Sequence, residues 1–88
     1  IELKAMQQRG EIFGLEHHTK FELALKTKLE GEKRVKPALR YFADFTYYNT
    51  QGVYIVEDVK SAATRKLASY RNKKHLMKTV FNIDVREV

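Results

Sequence analysis

The chain has no cysteine, a single proline and no apolar stretch approaching the length of a membrane span. Without cysteine, neither disulfides nor thiolate metal centres can hold the fold. The three histidines, His17, His18 and His75, therefore have no zinc-ligand spacing with cysteines. A membrane-spanning helix needs about 20 apolar residues, so no membrane partner is expected, and no signal peptide is evident. A glycine-rich phosphate cradle, a nucleophile elbow and a Ser-His-Asp arrangement are also lacking. These absences argue against nucleotide-cradling enzymes, serine hydrolases and small-molecule organic cofactors, and they lead to the expectation of a cytoplasmic protein.

What is present is basic charge. Seventeen Lys and Arg against eleven Asp and Glu leave a net charge of +6, which favours a polyanionic partner through counterion release. Residues 64–81 carry Arg65, Lys66, Arg71, Lys73, Lys74, His75 and Lys78. The same stretch has an apolar stripe at near-helical spacing, Ala63, Leu67, Tyr70, Met77 and Phe81. A helix is expected there, one face packed on a sheet and the basic faces free to grip a phosphate backbone without reading sequence. Lys74 interrupts the stripe and is expected to snorkel outward. Residues 26–36 form a second basic cluster around Gly31 and read as a mobile loop that either clamps DNA or, the slightly favoured expectation, stays hydrated. At 88 residues the chain is expected to be one domain, 1–88, with a modest core and no separate recognition module.

Two runs rich in aromatic and β-branched residues, 40–48 and 53–60, flank Asn49, Thr50, Gln51 and Gly52 and predict a β-hairpin. A loop of Thr50, Gln51 and Gly52 gives Gly52 the left-handed position that glycine fills at no steric cost. That register opposes Tyr48 to Tyr54, Thr46 to Val56, Asp44 to Asp58 and Phe42 to Lys60. Opposed side chains have Cβ atoms about 4.5–5.5 Å apart, and two carboxylates that close repel unless a cation or proton lies between them. A loop that also takes in Asn49 would oppose Asp44 to Glu57 and send Asp58 and Lys60 to the other face, but it leaves Gly52 without a left-handed role. In the preferred register Glu57 points away from Asp58 and is expected to pair with a basic residue. A D-x-K triplet in so charged a chain is a weak pattern alone; here it ends an apolar run, Val53 to Val56, and buried charge needs a reason.

The sequence Ala43-Asp44-Phe45, then Val56-Glu57-Asp58-Val59-Lys60 and a helix, resembles the PD-(D/E)xK nuclease superfamily, with Ala43 in place of the usual proline. With Gly10-Glu11-Ile12 and Lys20-Phe21-Glu22-Leu23 ahead of it, the ordered set resembles small phage-encoded nuclease-like proteins related to junction-resolving enzymes. The resemblance covers most of the chain. It implies an α/β restriction-endonuclease-like core, a mixed β-sheet whose central hairpin is flanked by an N-terminal helix and the basic C-terminal helix. It also implies a DNA endonuclease dependent on Mg²⁺, with Mn²⁺ as a substitute, acting in the host cytoplasm if phage-encoded. Asp44 and Asp58 would be metal-ligating carboxylates, the Val59 carbonyl would complete the shell, and Lys60 would orient or activate water. The superfamily often adds a glutamate from the first helix, for which Glu2 is the candidate, the true ligand otherwise lying upstream in a truncated helix.

The remaining pattern fits this core. Residues 1–9 read as a helix stopped by Gly10, residues 20–25 as a strand, and residues 83–88 as a half-buried strand that joins the sheet. The aromatics of the hairpin are expected mostly to pack rather than to stack on bases, and His17 and His18 to be structural. A cleaving enzyme of this size would form a homodimer or have a minimal DNA footprint. The competing expectations are a catalytically silent nucleic-acid-binding protein on the same scaffold and a protein that docks on an acidic partner through the basic helix.

Overall fold

The computed structural model describes residues 2–88. It shows an α/β protein with one four-stranded mixed sheet, ordered β1-β2-β3-β4 in space as in sequence. Helix α1 (Glu2–Gln8) precedes β1 (Ile12–Ala24), β2 (Leu39–Asn49) and β3 (Tyr54–Asp58); α2 (Ala62–Arg65) and α3 (Ala68–Phe81) then lead to β4 (Arg86–Glu87). The first three strands are antiparallel, and β4 returns parallel to β3 after the helical crossover that parallel pairing requires.

Helix α1 ends where glycine permits it. Gly10 takes φ +76°, its N–H donates to the Gln7 carbonyl, and the Glu11 N–H donates to the Met6 carbonyl, the two bonds of a Schellman stop. The hairpin between β2 and β3 has the register expected from Gly52, which sits at φ +76°: Tyr48 opposes Tyr54, Thr46 opposes Val56 and Phe45 opposes Glu57. The Asn49 side chain fastens the turn by accepting from the N–H groups of Gln51 and Val53.

Two apolar clusters lie on opposite faces of the sheet. Ile12, Tyr47 and Ile55 pack with Leu3 and Met6 of α1, whereas Leu23, Tyr41, Ala43 and Val56 pack with Tyr70 and Met77 of α3 and with Val85. In an unbroken strand Tyr41, Ala43 and Tyr47 would share one face. They do not, so β2 changes face between Ala43 and Tyr47, at Asp44. Strand β1 changes face with it: Leu15 joins the α1 side and Phe21 and Leu23 the α3 side, and between them His18 is held at φ +52°. Because the two strands twist together, the β1–β2 pairing keeps its register from Glu16 to Glu22. The Thr19 and Thr46 hydroxyls meet at 2.8 Å across the twist.

The structure corrects several expectations. Strand β1 starts at Ile12 rather than Lys20, since the long partner β2 supplies a ladder as far as Asn49. The basic segment is two helices, because Leu67 is extended (φ −66°, ψ 132°) and the Lys66 and Leu67 N–H groups donate to the Ala63 and Thr64 carbonyls in a tightened last turn. Of the proposed stripe, Tyr70 and Met77 are buried, while Ala63 and Leu67 are exposed at the break and Phe81 is exposed in the last turn of α3. The final strand contracts to Arg86–Glu87, with Val85 buried before it. Only some hairpin aromatics are core: Tyr41 and Tyr47 are buried, but Phe42 and Tyr48 are exposed. Residues 26–36 carry one isolated bridge, Thr27 to Lys36.

Candidate functional site

The ladder between β2 and β3 stops at Phe45 and Glu57, and the next two residues in register are Asp44 and Asp58. Their side chains take over where backbone pairing ends. The Asp44 N–H donates to Asp58 Oδ1 at 3.3 Å, and the Val59 N–H donates to Asp44 Oδ2 at 2.8 Å. Backbone donors that lose their strand partners are thereby satisfied by two carboxylates, which hold the splayed strand ends together.

Asp58 is fully buried, yet both of its oxygens are engaged: Oδ2 accepts from the Tyr41 hydroxyl and faces the Lys60 ammonium at 3.2 Å. The ammonium also lies 5.5 Å from the centre of the Tyr70 ring. β3 delivers Asp58 to this point, and β4 secures its backbone, since the Val88 N–H donates to the Asp58 carbonyl at 2.9 Å.

The two carboxylates have opposite electrostatics. Burial and the adjacent Asp44 carboxyl push Asp58 above the usual carboxylate range, against the pull of Tyr41 and Lys60. Partial burial works the same way on Asp44 but is outweighed by its bonds with Asp58 and Val59 and by the charges of Lys60 and His18, so Asp44 is held low. Two acids that share a site with one ionised and one inclined to keep its proton form a ready place for a cation. The donors are hard oxygens, as Mg²⁺ requires, and Mg²⁺ needs few protein ligands because it keeps several waters. Asp44, Asp58 and the Val59 carbonyl thus fit such an ion in chemistry. Among the described residues no three ligating side chains converge.

Of the residues expected to form the site, the structure brings together Asp44, Asp58, Val59 and Lys60. Glu2 stands apart: it is exposed at the start of α1, whose apolar side chains pack on the Ile12 cluster, and no hydrogen bond or ion pair joins it to the group. Glu57 points away as expected, but its partner is the Tyr47 hydroxyl at 2.8 Å rather than a basic residue. Tyr41 and Tyr70 were not legible as site residues. Their approach to Asp58 and Lys60 depends on the change of face at Asp44 and on the packing of α3, neither of which leaves a local signal.

The basic residues are not equivalent. Lys74 does not snorkel freely: it pairs with Glu87 at 3.3 Å, and Lys78 pairs with Asp84 at 2.8 Å. The Arg65 Nε donates to the Lys60 carbonyl at 3.2 Å and so braces the motif from behind. Lys66, Arg71 and Lys73 have no acidic partner within the described residues. No described helix is long and apolar enough to cross a membrane.

No curated protein and no solved structure matches the chain. A family model, described as a protein of unknown function (DUF1064), matches residues 1–87, and the chain belongs to that family.

Proposed function

We propose that the protein is a metal-dependent DNA endonuclease, hydrolysing phosphodiester bonds on a restriction-endonuclease-like core of the PD-(D/E)xK type. The observation that carries this reading is the convergence of Asp44, Asp58 and Lys60 where β2 and β3 part. A bound Mg²⁺ or Mn²⁺ would supply Lewis acidity toward a phosphoryl oxygen and toward water. Asp44 and Asp58 would hold such an ion, and the Val59 carbonyl would complete the protein's share of its ligands. Lys60, fixed against Asp58 Oδ2, orients the attacking water and offsets charge that develops on the phosphate. Lys66, Arg71 and Lys73 hold the DNA backbone, and Arg65, Lys74 and Lys78 add charge that is partly committed within the protein. So small a domain acts as a homodimer or on a minimal footprint, in the cytoplasm, which is the host's if the protein is phage-encoded.

Supercoiled, linear and four-way-junction DNA, each incubated with Mg²⁺, Mn²⁺ or EDTA, test the proposal. Cleavage is expected with either metal, none with EDTA, and none in Asp44→Asn, Asp58→Asn or Lys60→Ala, all three of which still bind DNA. Cleavage that persists in purified Asp58→Asn overturns the site.

One observation favours a second reading, a catalytically silent DNA-binding protein on the same scaffold. Asp58 already has internal donors on both oxygens, which compete with any ion. That reading predicts salt-sensitive binding, no heat of Mg²⁺ binding by calorimetry and no product from any of the three DNAs.

A further inference from the structure

Strand β2 reaches back from Asp44 to Leu39 with no β3 residue beside it, and between Leu39 and the end of β1 at Ala24 the chain forms a narrow arm of two limbs. We infer that this arm, residues 25–38, binds duplex DNA alongside the site, Lys26 and Lys28 on one limb and Lys33 and Arg34 on the other meeting phosphates. The inference rests on the nucleic-acid reading above. It adds a second contact surface and makes a duplex the substrate class.

The arm is fixed, yet it supplies nothing to the core. Thr27 and Lys36 exchange both backbone hydrogen bonds, the Glu32 N–H closes the tip on the Leu29 carbonyl at 3.1 Å, and Gly31 makes that turn at φ +82°. Every residue from 24 to 37 is exposed. A connection of this length without strands or helices of its own is usually functional or disordered, and this one has order without burial.

Its sides differ. Leu25, Thr27 and Leu29 line a shallow apolar groove with Pro37 and Leu39. Alternation along the limb therefore turns Lys26 and Lys28 to the other side. Neither they nor Lys33 and Arg34 have an acidic partner within the described residues. Acid occurs only near the tip, as Glu30 and Glu32, and Glu32 is tied to Lys36 at 3.4 Å. The limbs rather than the tip thus meet phosphate. The major groove of DNA, about 12 Å wide, admits a two-stranded ribbon and has a backbone along each border. A second copy of the chain in the apolar groove would instead bring two arms together, each with five basic residues against two acidic ones. Charge favours the polyanion.

Position ties the arm to the site. The foot of the arm at Leu39 lies roughly 17 Å along β2 from Asp44, at about 3.4 Å per residue. Lys60 and Lys73 edge one cavity, and Asn72, His75 and Leu76 of the same helix share a groove with Leu39. Basic groups accordingly run from Lys60 over α3 to the arm, a track that a duplex can follow and that reaches about five base pairs beyond the site.

Salt dependence of binding to a blunt duplex of mixed sequence, followed by fluorescence anisotropy in EDTA, tests the inference on the full chain. Lys26→Gln/Lys28→Gln and Lys33→Gln/Arg34→Gln are each expected to flatten the slope of log K against log salt by about 1.8, at 0.9 per phosphate. Lys4→Gln/Lys20→Gln removes the same charge from α1 and from the face of β1 turned away from α3, and should leave the slope near wild type. Equal flattening by all three pairs would show that only net charge matters and overturns the inference. So does an unchanged slope in the arm variants, including the case in which they turn a wild-type dimer into a monomer by sedimentation and so assign the arm to a second copy. Those outcomes leave the nucleic-acid reading standing, whereas a wild-type protein that binds no duplex overturns both.

Discussion

The Tyr41 hydroxyl and the Lys60 ammonium converge on one oxygen, Oδ2 of Asp58, the one carboxylate among the described residues with no solvent exposure. Removing a donor from a buried charged group leaves that group short of partners, at a cost of about 1–3 kcal/mol. Tyr41→Phe keeps the ring in the core and takes away only the hydroxyl. Its urea denaturation midpoint is therefore expected to fall by that free energy divided by the slope, with the slope unchanged. A midpoint equal to wild type would show that the bond contributes nothing.

Asp58 itself is expected to lower stability. Its folded pKa lies above the unfolded value, so the fold favours the protonated form, and that contribution is lost as pH rises through the folded pKa. Above that folded pKa the protein holds a charge it would be more stable without. Asp58→Asn removes this titration, although its amide N–H then meets the Asp44 N–H or the Lys60 ammonium, so its stability should fall less than that of the wild type as pH rises from acid to neutral. An equal fall in the two proteins would contradict this. A residue that costs stability where it sits is what a site retained for chemistry looks like.

Alkaline pH tests the core from the other direction. Burial and the bond to Glu57 push Tyr47 up to about 12, and burial likewise raises Tyr41 and Tyr70. A raised pKa means stability present below the unfolded value near 10 and lost as pH climbs through the folded one. The protein should lose stability steeply above about pH 10. Tyr47→Phe, followed by denaturation at pH 9 and pH 12, should reduce the loss between them by on the order of 2 kcal/mol.

The basic residues divide by their partners. Arg71 and Lys73 have none within the described residues, whereas Lys74 and Lys78 are tied to Glu87 and Asp84. Each B-DNA phosphate that the protein ceases to neutralise changes the slope of log K against log salt by about 0.9. Arg71→Ala and Lys73→Ala are each expected to flatten that slope by about one such step. Lys74→Ala and Lys78→Ala should flatten it less, since they free a carboxylate as well. Equal slopes for all four variants would show that the internal pairs open on binding.

The parts of this structure that could be read in advance are those set by local chemistry. Gly10 and Gly52 mark the helix stop and the hairpin turn, and the turn alone places Asp44 opposite Asp58. The runs around Tyr41 and Val56 could be recognised as strands because their residue types suit a pleated surface. What escaped was tertiary. The break at Leu67 has no proline or glycine to announce it, and the pairing of Lys74 with Glu87 needs β4 to be in place. The coordinated change of face at Asp44 and His18 is cooperative between two strands, so neither sequence shows it alone. It is also what brings Tyr41 onto Asp58.

His18 looks structural in the sequence, and its backbone shows what the structure demands of it. A non-glycine residue at φ +52° within a strand pair carries strain on the order of 1–3 kcal/mol. Branching at Cβ makes a left-handed position worse, and glycine removes the penalty. His18→Val and His18→Gly both lose the imidazole that stacks on Phe42, so the difference between them isolates the backbone. His18→Gly should be the more stable of the two by about 1–2 kcal/mol, although an ordinary strand position would rank valine above glycine. Thermal or urea denaturation of the pair measures the difference directly. If valine is the more stable, β1 does not turn left-handed at His18, and the change of face that assembles Asp44, Asp58 and Tyr41 loses its hinge.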